Sequence, residues 1–139
     1  MRFEPLTAHH CLNLGPLAPI HTGFEIDADM AARLEQIGGV AAVEGEAVLA
    51  IGGIVPRWEG VGMAWAWLSQ GWKRHARAIT YEVARNLSLA PYRRIEAAVL
   101  CDYAGGHRWI KRLGFELETP CARNWGDDGR DYSLYVRLS

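Results

Sequence analysis

The sequence predicts an α/β domain. Segments with the 3.6-residue period of amphipathic helices alternate with short β-rich apolar runs, and turn residues rather than linkers separate them. At the end, Tyr132, Leu134, Val136 and Leu138 alternate with Ser133, Tyr135 and Arg137, as in a strand with one face in the core. A chain of 139 residues can bury a core without metal or disulfide staples, so one domain over residues 1–139 is expected.

Taken in order, residues 1–6 read as a short strand, and the segment to Thr22 is broken up by Gly15, Pro16 and Pro19. Asp27 or Asp29 can cap a helix with Met30, Leu34 and Ile37 on its apolar face, and Gly38 supplies a stop. The period then shortens. Runs at 40–43, 48–55 and 61–68 read as antiparallel strands, separated by Glu44-Gly45-Glu46 and by residues 56–60. Residues 73–89 put Ala76, Ile79, Val83 and Leu87 on one helical face. A strand at 95–100 follows, then Gly105-Gly106 before a short helix at 107–113 closed by Gly114, and Phe115 re-enters the sheet. Residues 126–129 form a polar loop before the last strand.

Composition excludes more than it selects. A net charge of −1 removes the electrostatic argument for nucleic acid or an anionic membrane surface. Nucleic-acid binding through Lys73, Arg74, Arg77 and Arg85 is therefore not expected. The three cysteines, Cys11, Cys101 and Cys121, have no Cys-x-x-Cys spacing and suggest neither a disulfide framework nor a zinc site. The opening Met1-Arg2-Phe3-Glu4-Pro5 begins no apolar stretch of signal or membrane-span length, so a cytoplasmic protein is expected. His9, His10, Cys11 and His21 lack the spacing or carboxylate partner of a metal site, and no metal is expected. Cys101 at a strand end reads as a small hydrophobe, and Arg93-Arg94 as surface charge or a contact to the nucleotide end of a cofactor.

The run Arg108-Trp109-Ile110-Lys111-Arg112-Leu113-Gly114-Phe115, arriving after an apolar strand and in this element order, resembles the Gcn5-related N-acetyltransferase superfamily. The resemblance covers most of the chain from Asp27 onward. It implies a mixed, mainly antiparallel central sheet flanked by helices, in which two central parallel strands, here 61–68 and 95–100, splay apart at their ends. In such a cleft the pantetheine arm of acetyl-coenzyme A pairs with backbone like an added strand, and the next helix start receives the pyrophosphate. Residues 107–115 also resemble a bacteriophage branch of the superfamily, which implies a phage or prophage origin and, if so, a virion location.

The resemblance implies coenzyme contacts at Trp67, Leu68 and Ser69, ending the first of those strands, and at Arg74, His75, Ala76, Arg77 and Ala78 in the phosphate loop. Ala76 matches the loop's last small position, but Arg74 stands where the family has glycine, and a side chain there crowds phosphate oxygens. Lys73, Arg74, His75 and Arg77 could supply cations in place of the lost amides, or could simply be solvated. The family's usual acid, a tyrosine four residues before the Gly-Phe glycine, is replaced by Ile110, which has no proton to give. Tyr103 and His107 are the nearest titratable alternatives. No carboxylate lies on strand 61–68 to act as base, and Glu59 and Glu46 read as solvated. Trp65 and Trp67 share a face with Met63 and either line an acceptor pocket or pack under helices.

Two functions follow. One is an acetyltransferase-type protein that binds acetyl-coenzyme A and transfers acetyl to an unknown amine. The other is a non-catalytic phage or prophage interaction protein that keeps the fold, its partner another phage protein or a second copy in a homodimer.

Overall fold

A computed structural model describes residues 1–18 and 25–139. The expectations for Pro19, His21 and Thr22 lie outside the described residues. In chain order the elements are β1 (Arg2–Pro5), α1 (Ala8–Leu12), α2 (Ala28–Ile37), β2 (Val40–Glu44), β3 (Ala47–Trp58), β4 (Val61–Leu68), a 3-10 helix (Gln70–His75), α3 (Ala76–Leu89), β5 (Arg94–Leu100), α4 (Ala104–Arg112), β6 (Glu116–Ala122) and β7 (Tyr132–Leu138). The strands form a seven-stranded sheet in the order β1-β2-β3-β4-β5-β7-β6. Among the described strands β4 pairs parallel with β5, so the sheet is mixed and mainly antiparallel. Contacts divide the chain into two compact units, Met1–Val55 with Trp65–Tyr81 and Pro56–Ala64 with Glu82–Ser139.

The first unit is built on the β1-β2-β3 meander. β1 pairs antiparallel with β2 from Arg2 opposite Val43 to Pro5 opposite Val40, and Pro5, which has no N–H to donate, sits at the end of this edge strand. Asp27 caps α2 by accepting from the Met30 amide at 2.8 Å. Ala31 and Leu34 are buried, but Ile37, the last residue of the helix, is exposed. With Leu6, Val43, Ile51 and Trp67 they form the core of this unit. The irregular stretch holds α1, capped reciprocally by Thr7 and His10. His10 is buried, accepts the Thr7 amide on Nδ1 and therefore donates Nε2–H to Glu4 at 2.9 Å.

In the second unit β5 pairs with β7 along its whole length, Arg94 opposite Leu138 to Leu100 opposite Tyr132. On its β4 side the parallel register runs over Val61–Arg94, Gly62–Ile95 and Met63–Glu96. β7 lies between β5 and β6, and this corrects the one-face expectation for it: Ser133 and Tyr135 are more buried than Leu134, and Leu138 is 65% exposed. The face carrying Ser133 and Tyr135 is thus the inner one over the middle of the strand, with Val136 buried as well, so the apolar alternation does not by itself mark the inside.

Gly114 ends α4 as the local pattern requires. Its φ is +92°; its amide bonds Lys111 O at 3.0 Å, and the Phe115 amide bonds Ile110 O at 3.2 Å. These are the paired bonds of a Schellman stop, and buried Ile110 and Phe115 supply its usual apolar contact. Gly105 and Gly106 fall inside the helix rather than before it. Gly114→Val is expected to destabilise the protein by about 1 kcal/mol or more, because a β-branched residue resists positive φ and its Cβ would lie 3.4 Å from Arg137 Nε. Thermal melting checks this, and an unchanged midpoint would refute it.

Candidate active site

The turn after β4 differs from expectation in where its helix begins. The helix was expected to open at residues 73–78, yet a 3-10 turn already begins at Gln70, with Ser69 as its extended N-cap at φ and ψ of −81° and 166°. That turn feeds straight into α3 through Ala76, already at helical angles of −57° and −38°. Buried Trp72 anchors this early turn. Several amides here are already committed: Ser69 N donates to Leu49 O, Gln70 N to Pro16 O at 2.7 Å, Trp72 N to Ser69 O and Ala76 N to Lys73 O. The segment is therefore a poor amide cradle for an anion, because donors bonded to carbonyls are not available to phosphate oxygens.

Its side chains fit an anion better. Lys73, Arg74 and Arg77 are all exposed, while His75 is drawn into an ion pair with Glu44 at the end of β2. Of the expected cations, three remain at the surface and the imidazole has a carboxylate partner. Ala76 is half-buried and Ala78 exposed. Trp67, Leu68 and Ser69 have buried side chains, Trp67 within the core of its unit and Trp65 packed against it. The aromatic pair thus acts as packing. Trp65 Nε1 is buried without an acceptor among the described residues. Trp58 is exposed and stacks under the Arg57 guanidinium.

In the second unit α4 carries the expected acid candidates. Tyr103 is its N-cap residue, and its side chain makes no capping hydrogen bond to the helix. The phenol ring instead lies over the first turn: a Cβ on Gly106 would sit 2.5 Å from Tyr103 Cδ2, and one on Gly105 would sit 3.7 Å from its hydroxyl oxygen. Two glycines are what allow that ring to lie there.

His107 is held on both sides. Nε2 is 3.0 Å from the Cys101 carbonyl, which can only accept, so Nε2 carries the proton. Nδ1 then accepts from the Tyr135 hydroxyl at 2.6 Å. Burial pushes the Tyr135 phenol above its usual range, so it stays protonated as the donor. A neutral imidazole with both nitrogens engaged is a strut between α4 and the sheet. Ile110 is buried, so Ile110→Tyr would overpack the core rather than return a proton donor.

Glu46 and Glu59 are exposed in turns, as solvated carboxylates would be. Arg93 donates to Glu59 O, and Arg94 is bound by Glu96 and Glu118, so both arginines have protein partners. Sequence reasoning missed Glu44 and Tyr135, which decide what His75 and His107 can do. Neither carried a local signal, since each meets its histidine only through the fold.

No family profile matches this sequence, and no curated protein matches it. Solved structures do. Ard1 from Thermoplasma volcanium is 10% identical, with a TM-score of 0.80 over 99% of this chain and 96% of that one. The ribosomal-protein-S18-alanine N-acetyltransferase from Escherichia coli is 14% identical, with a TM-score of 0.70 over 99% and 94%. A NatB acetyltransferase complex bound to CoA and MES is 12% identical, with a TM-score of 0.73 over 99% of both chains. At such identities the likeness establishes the fold, which is that of N-acetyltransferases.

Proposed function

We propose that this chain works as a single acetyltransferase-type domain that binds acetyl-coenzyme A and transfers the acetyl group to an amine. The observation that supports this best is end-to-end agreement of its fold with N-acetyltransferases, at a TM-score as high as 0.80. When bound, the thioester would supply the acetyl group: its C–S bond breaks as the acceptor's N–C bond forms, the acceptor nitrogen gives up one proton, and the leaving thiolate takes one up. Trp67, Leu68 and Ser69, at the end of β4, are the proposed contacts for the pantetheine arm. Arg74 and Arg77, with Lys73 beside them, are the proposed phosphate contacts, through guanidinium groups rather than loop amides. His75, Ala76 and Ala78 shape that surface. Tyr103 is the proposed proton donor to the leaving thiolate, because His107 serves as a strut. The bacteriophage resemblance rests on residues 107–115 alone and adds no activity.

Titration calorimetry with acetyl-coenzyme A tests the binding, and release of free coenzyme A thiol against a panel of amines tests the transfer. Absence of binding would overturn the proposal, and binding without turnover would leave a coenzyme-binding interaction protein. Arg74→Ala and Arg77→Ala are each expected to raise the Kd roughly 3- to 10-fold, and added salt should weaken the wild type more than the double variant. A wild type that binds and is weakened by neither change would show that the phosphates are held elsewhere.

A further inference from the structure

We infer that Cys101 and Cys121 are a paired dithiol that closes to an intramolecular disulfide when the protein meets a hydroperoxide. Their sulfurs are 3.3 Å apart. A disulfide bond is roughly 2.05 Å long, so closure needs a movement of little more than about 1 Å, within reach of side-chain rotation. Both residues flank the same end of β7: Leu100, just before Cys101, is opposite Tyr132, and Ala122, just after Cys121, is opposite Tyr132 as well. β7 lies between their strands, and in a regular sheet two strands separated by a third would hold such side chains about 10 Å apart. The register of β6 shifts between Thr119 and Ala122, and that irregularity lets Cys121 reach back.

The surroundings hold this pair in place. The Cys101 amide donates to Asp131 O at 3.1 Å, and its carbonyl accepts from His107. Ser133 Oγ lies 3.6 Å from Cys101 Sγ and donates to Pro120 O at 2.7 Å, tying β6 to the site one residue before Cys121. Cys121 is exposed and Cys101 half-buried, so the oxidant meets Cys121 first. Cys11 is buried in the other unit and serves as an internal control.

The step balances. The Cys121 thiolate attacks one oxygen of the hydroperoxide, the O–O bond breaks, and the other oxygen leaves as an alcohol, or as water from hydrogen peroxide, with the thiol's proton. The Cys101 thiolate then attacks Cys121 Sγ, the S–O bond breaks, and hydroxide leaves with the second thiol's proton as water. Two thiols lose two electrons and two protons, and the peroxide gains them. The Cys101 thiol pushes the Cys121 thiol above its usual range; Asp131 acts in the same direction and Arg123 against it. Thiolate is therefore scarce at neutral pH, and closure quickens as pH rises.

The test is to reduce the purified protein, remove the reductant, add hydrogen peroxide and follow intact mass, denatured thiol count and peptide linkage. The expected result is a loss of about 2 Da, one remaining thiol assigned to Cys11, and a peptide joining Cys101 to Cys121. Cys101→Ser should abolish that loss and let Cys121 take up oxygen or cross-link between molecules. Wild-type protein in which Cys121 gains oxygen or forms dimers without the internal bridge, or in which both thiols survive, would overturn the inference.

Discussion

Tyr103→Phe is expected to lower kcat for acetyl transfer by roughly 100- to 10,000-fold, the usual range for loss of a general acid. The Kd for acetyl-coenzyme A should change by less than about twofold, because the phenyl ring keeps the packing of the phenol over Gly105 and Gly106. Around α4 the other candidates are ruled out by their chemistry and contacts. Ile110 is aliphatic and buried, and His107 has both ring nitrogens engaged. Tyr103 at the helix start carries a hydroxyl that the cap does not use. Release of free coenzyme A thiol from saturating donor gives kcat, and calorimetry gives Kd. Unchanged turnover would remove Tyr103 from the chemistry. An equal fall in affinity would make it a binding residue instead.

Gly39→Ala carries the largest expected loss of stability, about 1–3 kcal/mol. A Cβ there would lie 2.4 Å from the Gly52 carbonyl oxygen, and that neighbour is backbone in a paired strand, which cannot swing aside as a side chain could. Relief requires the backbone at Gly39 to part from β3, and Leu6, 3.2 Å away, to give as well. Gly71→Ala is the matched control. Its nearest neighbours are Leu49 Cδ2 at 3.5 Å and Ser69 Oγ at 3.8 Å, ordinary contacts, so a change within about 0.5 kcal/mol is expected. Denaturant or thermal unfolding of both variants checks the contrast, and equal midpoints would refute it.

Much of this fold was legible because its signals are local. The Met30–Leu34 spacing, the Asp27 cap and the Gly114-Phe115 stop each depend on a few consecutive residues, and helix period and positive φ are properties of such windows. The runs at β4 and β5 were placed within a residue of their observed bounds for the same reason. The missing acid at Ile110 was equally readable, since a side chain without a proton donor is so in any fold.

Tertiary structure alone decided the rest. Whether both His107 ring nitrogens are engaged depends on Tyr135, 28 positions later, and on the strand order that sets β7 beside β5. His75 is withdrawn from the basic cluster by Glu44 at the end of β2, a residue with no sequence relation to it. The helical run after β4 opens as a 3-10 turn at Gln70 rather than at Lys73, with Trp72 buried in that turn, and burial is a property of the whole fold. Cys101 and Cys121 read as unrelated thiols until β7 and the irregular β6 bring their sulfurs together. The sequence by itself determined which residues could form each element and which had chemistry to offer. Which of those side chains are engaged, buried or paired was set by strand order and register, because two groups distant in the chain acquire an interaction energy only once the fold holds them within a few ångströms.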